Sequence, residues 1–446
     1  MSTGICQEII TRMELLQQVR IIDPVQQQDQ VADVLIVEGR IEAIAEEITN
    51  YPAQATVYQP SGFILGTGLA DIYSHSGEPG HETRETLGQL SQAAAAGGFT
   101  QVGILPDTVP MIDNVETLAA IKQKSNYLSS DSQLNLPQLH FWGHAYDSQR
   151  QQMTELGELA SEIVGFTSQH NLANLQVLKQ ILEYLEPWQK PLALVLHHNE
   201  LSAGGVVRTA DAAIRYGMPE NPSFSEAAII AAVLEMVAEI PTPIHFMRVS
   251  TARGVELIAD AKARGLTITA STTWMHLLWN SDSIGSYNPD LRLEPPLGDQ
   301  LAQTALIDGV KQGIIDAIAI DHQAYTYEEK TVAFALAPPG VVGLELALPM
   351  LWQNLVVSGR CSPLQLWQAL SSRPRQCMQQ TSKAIAPGQA ADLVLFDPEQ
   401  KWIANRDSLK SPAANTPWYN QEITGKVIKT WANSVNSQQS TVNNYK

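Results

Sequence analysis

Short apolar runs alternate with amphipathic helical segments through the middle of the chain, and no other property restricts the fold as strongly. Strand-like runs at 102–106, 192–197, 244–249, 266–270 and 317–322 follow helical segments at 91–98, 178–185, 227–240, 252–264 and 301–312. Such a rhythm predicts a parallel sheet covered by helices. Several of the runs close on a polar residue: His75, Asp107, His197, Arg248 and Asp321. In a (β/α)8 barrel the C-terminal strand ends converge on one mouth, so these residues are the first candidates for a site.

The two ends of the chain have a different texture. Val19-Arg20-Ile21-Ile22, Val34-Leu35-Ile36-Val37 and Ile41-Glu42-Ala43-Ile44 are broken by Asp23-Pro24 and Glu38-Gly39-Arg40, which reads as a small antiparallel unit with tight turns. Strand patterns return at 391–397 and 425–430. The expected architecture is therefore α/β: a (β/α)8 TIM-like barrel with a small composite β-sandwich domain made from both terminal segments. The expected division is 1–64 and 385–446 for the small domain and 65–384 for the barrel.

Composition narrows the function classes. With 44% hydrophobic and 17% charged residues the chain is globular, and a net charge of −18 argues against nucleic acid or an anionic membrane surface as partner. Cys6, Cys361 and Cys377 are too few and too scattered for a disulfide framework or a zinc ribbon, and read as reduced thiols of a cytoplasmic protein. No signal-peptide pattern and no run of about 18 apolar residues is present.

Asp71-Ile-Tyr-Ser-His-Ser-Gly-Glu-Pro-Gly80 is the most telling window. Side chains at i and i+2 share a face of a strand, so a His-x-His pair closing one can aim both imidazoles at a cation; here the pair reads Tyr73-x-His75. Further motifs are Gly97-Gly-Phe-Thr-Gln-Val-Gly-Ile-Leu-Pro-Asp-Thr-Val-Pro110, His245-Phe-Met-Arg-Val-Ser-Thr251, Ile320-Asp-His322, Pro339-Gly-Val-Val-Gly-Leu-Glu345, Ile385-Ala-Pro-Gly-Gln-Ala-Ala-Asp-Leu-Val-Leu-Phe-Asp397 and the stretch 411–417. Together they resemble the dihydroorotase family of cyclic amidohydrolases over almost the whole chain.

That resemblance implies two zinc ions at the barrel mouth sharing a hydroxide that attacks the ring carbonyl of dihydroorotate. The implied ligands are a His-x-His pair, a bridging carboxylate, two further histidines and an aspartate that also moves the proton. Transferred by motif, the positions are Tyr73, His75, a place within 166–170 that holds no Asp or Lys, His197, Arg248 and Asp321. Three of the six are replaced. Arginine stays protonated, so Arg248 puts a positive charge where a cation belongs and is expected to pair with Asp321. The family's substrate-carboxylate arginine and asparagine fall on Gly77 and Asp107, a small residue and an anion. Glu294 and Gly298 also stand around Pro295-Pro296-Leu297 where polar and basic residues are expected.

The reading is a family member that is not catalytic, with Asp321 vestigial, with His75, His197 and Asp321 as vacated metal positions, and with no cofactor. A homo-oligomer and a structural or regulatory partnership with aspartate transcarbamoylase in pyrimidine synthesis are what the resemblance suggests. The alternative is a working dihydroorotase, or another zinc-dependent cyclic amidohydrolase with altered metal use, for which His75, His197 and Asp321 are the minimal mononuclear set. Bland roles stand beside these: Asp321-His322 as a strand-end turn, His197 and His198 as one core and one solvated residue, and Trp274, Trp279 and Trp352 as ordinary core or surface.

Overall fold

A computed structural model describes residues 13–59, 62–130, 135–147, 152–168, 174–196, 199–208 and 210–432. Five strands come first: β1 (Met13–Asp23), β2 (Gln28–Val37), β3 (Arg40–Ala45), β4 (Thr56–Tyr58) and β5 (Ile64–Thr67). The middle supplies β6 (Leu69–Ser74), β7 (Phe99–Ile104), β8 (Gln138–His144), a two-stranded ribbon of β9 (Tyr146–Asp147) and β10 (Gln152–Met153), β11 (Gly165–Ser168), β12 (Leu192–Val195), β13 (Ile244–Met247), β14 (Ile268–Thr273) and β15 (Ala317–Ala319). Last come β16 (Leu393–Ile403) and β17 (Glu422–Trp431).

The two ends form one mixed sheet in the order β17-β16-β5-β1-β2-β3, with β4 also against β1. Leu65 lies opposite Leu395 in the antiparallel pair of β5 with β16, which joins the termini. Leu16, Val19, Ile21, Val34, Leu65, Leu393, Leu395 and Trp431 bury a common apolar face. A bulge between Leu16 and Val19 interrupts β1, where Gln18 adopts φ +51° and donates its backbone N–H to Asp33 at 2.7 Å.

Eight parallel strands in the order β6-β7-β8-β11-β12-β13-β14-β15 make the barrel. The ring closes where β15 returns to β6: His75 N–H donates to His322 O at 2.9 Å and Ile320 N–H to the Asp71 carboxylate at 2.8 Å. This is a (β/α)8 barrel beside a sheet built from both ends of the chain, as the alternation and the two β-textured ends predict. The helices start where the sequence provides caps: Thr86 with Gln89 forms a capping box for Leu87–Ala96, Thr251 caps Ala252–Ala263 and Asp299 caps Gln300–Gln312. Small side chains, Ala70, Ala193, Ala317 and Ala319, share the barrel interior with Trp142, Tyr73 and Met247. Among the described residues no helix is long and apolar enough to cross a membrane.

Register decides what reaches the mouth. Ser74 pairs with Ile104, Val195 with Met247 and Thr273 with Ala319, so those strand ends lie level around the ring. The residues just beyond them, including His75, Arg248 and Asp321, therefore face one another.

Candidate functional site

Arg248 follows β13 and Asp321 follows β15, and both hold the left-handed backbone region, at φ +54° and +52°. Such a conformation costs a side-chain-bearing residue about 1 kcal/mol and persists where surrounding contacts enforce it. The contacts are evident. Arg248 donates Nε–H to Asp321 Oδ2 at 2.7 Å and Nη2–H to Oδ1 at 2.6 Å, a two-pronged fork on one carboxylate. Its backbone N–H donates to the Tyr73 hydroxyl at 3.1 Å, and its guanidinium carbon lies 5.6 Å from the Tyr73 ring centre.

His75 is gripped from two sides. Its Nδ1 is hydrogen-bonded to Asp107, and its Nε2 lies 3.3 Å from Asp321 Oδ1 and 3.0 Å from Arg248 Nη2. A neutral ring would accept from the guanidinium, whereas an imidazolium donates to Asp321. Two carboxylates share a single arginine here, which favours the second arrangement: burial opposes charging, but Asp107 and then Asp321 push the imidazole up to about 9. Burial likewise opposes ionisation of Asp321, yet Arg248 first and His75 next hold its carboxyl well below the usual range. The quartet is thus charge-balanced, with two anions against two cations.

A polar chain supports it from inside the barrel. Tyr73 OH and Ser271 Oγ are 2.9 Å apart, Ser271 Oγ is 2.8 Å from His245 Nε2, and His245 Nδ1 is 2.9 Å from Thr269 Oγ1. Burial pushes His245 down to about 3, so it is a neutral link, and burial with the nearby Asp321 charge raises the Tyr73 phenol. Tyr73 therefore acts as a hydroxyl in this network. Sequence periodicity ends this strand at Ala270, while β14 runs to Thr273 and so carries Ser271 under Tyr73. The signal was present in the hydroxyl-rich Ser271-Thr272-Thr273, whose polar side chains suit an interior already lined by polar partners.

Two buried clusters, neither anticipated from the sequence, fix the mouth. Arg208 and Glu226 pair at 2.9 Å with almost no exposure, and Glu226 accepts from Ser250 N–H, Thr251 N–H and Thr251 Oγ at 3.1, 3.0 and 2.6 Å. The chain immediately after Arg248 is thereby pinned. Glu85 accepts from Ser411 Oγ at 2.6 Å and lies 3.0 Å from His322 Nε2, while Gly343 N–H donates to His322 Nδ1 at 3.2 Å. His322 therefore ties the strand end after Asp321 to the loops above it.

Gly77 leaves no space for a side chain. A Cβ there would stand 2.4 Å from Glu85 O and 2.8 Å from His81 O, both backbone atoms. His197, together with His198, Gln169 and His170, lies outside the described residues. On β11, Thr167 is fully buried and contacts Met247 Sδ at 3.7 Å through Oγ1.

A cavity of about 250 Å3 opens at the mouth, lined by the quartet with Thr273, His276, Glu294, Gln323 and Gly340 among others. His276 is satisfied, with Nδ1 2.7 Å from Thr273 Oγ1 and Nε2–H donating to Pro295 O at 3.1 Å, and burial drives it down to about 4. These residues do not fit a zinc pair. Asp321 has both oxygens on a guanidinium, Tyr73 is engaged as a neutral hydroxyl, and among the described residues no group of three or more His, Cys, Asp or Glu is arranged to hold a metal.

No family model matches the chain. It is 43% identical over 436 residues to the "Probable dihydroorotase-like protein" of Synechocystis sp., across 92% of this chain and 98% of that one. Against the dihydroorotase of Syntrophus aciditrophicus the identity is 30% over 424 residues, covering 93% and 97%. Among solved structures, the L-hydantoinase (dihydropyrimidinase) from Arthrobacter aurescens superposes with a TM-score of 0.77 across 94% of both chains at 20% identity, a likeness of fold alone. Barrel, composite sheet and these relatives define an amidohydrolase-superfamily protein. Within that class the chain belongs to the dihydroorotase family, as a divergent, dihydroorotase-like member.

Proposed function

We propose that the protein has lost the family's hydrolytic chemistry and serves as a structural or regulatory partner in pyrimidine synthesis, with aspartate transcarbamoylase as the partner. The observation that carries the loss of chemistry is the fork of Arg248 on Asp321. A carboxylate held so far below its usual range is a poor proton acceptor near neutrality. A zinc ion bound to it at about 2.0–2.2 Å would also face a permanent cation within van der Waals reach. The partner rests on the family resemblance, in which inactive members resemble scaffolds for that enzyme.

Zinc content and dihydroorotate hydrolysis, measured on the purified protein with added zinc, test the first part. Sub-stoichiometric metal and no turnover are expected; stoichiometric zinc with turnover would establish the competing reading of an active dihydroorotase or other zinc-dependent cyclic amidohydrolase. Sedimentation of a mixture with purified aspartate transcarbamoylase tests the second part. A joint boundary is expected, and independent sedimentation removes the partnership.

A further inference from the structure

We propose that the open edge of β17 is a docking site for an extended, acidic peptide segment of another protein, which adds as a further strand to the composite sheet. The proposal stands apart from the loss of chemistry and from the partner named above, because its groove shares no residue with the mouth cavity. The sheet order β17-β16-β5-β1-β2-β3 leaves two edges. One is covered: along β3, Ile41 N–H donates to Gln389 O at 2.9 Å and Gly388 N–H to Ile41 O at 2.7 Å. At the other edge, among the described residues, the backbone of 426–430 makes hydrogen bonds only toward β16. Unpaired N–H and C=O groups along such an edge are a template for an added strand.

Against that edge lies a groove of about 680 Å3. Five consecutive residues, 426 to 430, line it, so the groove follows the strand's backbone rather than one face of it. At about 3.3 Å per residue that is roughly 17 Å of edge. Charge then selects the occupant. Lys410 and Lys426 line the groove with no anionic partner among the described residues, and Lys426 Nζ lies 5.7 Å from the Trp402 ring centre. Lys429 is neutralised by Glu14. Of the two anions in the lining, Glu345 accepts from the N–H groups of Lys410 and Ser411 at 2.8 and 3.0 Å, and burial pushes it up to about 7. The two lysines therefore face Asp407 and a partly protonated Glu345, a positive surplus on a chain of net charge −18. That surplus repels the lysine-bearing edge of a second copy and favours a strand that carries carboxylates.

The test follows fluorescence anisotropy as labelled eight-residue peptides are titrated into the full-length protein. The acidic probe (Glu-Val)4 is expected to saturate, and to bind at least tenfold more tightly than (Lys-Val)4. Two isomers of the acidic probe, N-methylated on every Glu or on every Val, separate strand addition from charge attraction, since a strand pairs along one edge through alternate residues. One isomer should lose at least tenfold in affinity and the other little. Lys410→Glu with Lys426→Glu should weaken the unmodified probe at least tenfold with an unchanged thermal melt; should the melt change, the two isomers still decide on the native protein. No saturation, equal binding of acidic and basic probes, equal affinity of the two isomers, or full affinity in a well-folded double variant overturns the proposal. Each of these failures leaves the zinc, turnover and sedimentation tests unaffected.

Discussion

At the scale of single residues, Arg248 sets a permanent cation directly on the Asp321 carboxylate at the barrel mouth. Its side chain is 11% exposed and its partner Asp321 17%, so removing it leaves a largely buried carboxylate with His75 as its remaining cationic partner. Breaking one half of such a pair costs on the order of 3 kcal/mol, and Arg248→Ala should lower unfolding stability in urea by roughly that much. Arg248→Ala in an Asp321→Ala background should cost much less, and equal costs in both backgrounds would show that the fork contributes little. His75 gives the pH signature. Its folded value of about 9 lies above an unfolded value near 6.5, so the protonated ring stabilises the fold, fully below pH 6.5, and the contribution disappears as pH rises through 9. The shift corresponds to ~3 kcal/mol at most. A histidine C2–H resonance absent in His75→Gln should titrate above pH 8; a midpoint near 6.5 would refute the two-carboxylate account. These residue types were legible in the sequence, down to Tyr73 and Arg248 standing at strand ends, because strand periodicity fixes which positions face inward. The Tyr73–Ser271–His245 chain was not legible, because a hydroxyl and an imidazole carry no mark of what they will meet across a barrel.

At the scale of elements, the segment after β6 is packed too tightly to accept a larger side chain at Gly77. Gly77 is enclosed by the backbone of its own turn, so even a methyl group must displace the chain. Gly77→Ala is expected to cost about 2 kcal/mol by overpacking, and Gly77→Arg should destabilise further without creating affinity for carboxylates, as thermal melts and dihydroorotate titration will show. A stable Gly77→Arg protein with new anion binding would mean that this turn yields readily. The loop after β13 is fixed from behind by the Arg208–Glu226 pair, whose acceptors hold Ser250 and Thr251. Neither residue drew attention in the sequence, since Glu226 lies within an apolar helix, Phe224–Glu239, and its partner is 18 positions away.

At the scale of the whole molecule, the replaced positions behind the proposed loss of metal chemistry lie on several strands, so changes at two of them are not expected to reverse it. Tyr73→His with Arg248→His supplies two imidazoles, yet β11 still offers Thr167 and the turn still holds Gly77. The double variant is expected to gain no zinc-dependent dihydroorotate hydrolysis, and recovery of turnover would place the loss in those two residues alone. Architecture was the part that the sequence by itself determined: alternating strands and helices dictate a parallel barrel, and two β-textured ends need each other to bury their apolar faces, because such patterns depend on local periodicity. Family membership was equally legible, since its motifs sit at strand ends and turns whose backbone demands few residue types. The pairing of Arg248 with Asp321 was expected from the sequence; only the tertiary structure decided that His75 and Asp107 join them in one closed, charge-balanced group with a small cavity beside it. Their positions span 75 to 321, and the register of parallel strands, set by the whole barrel, is what brings them within hydrogen-bonding distance.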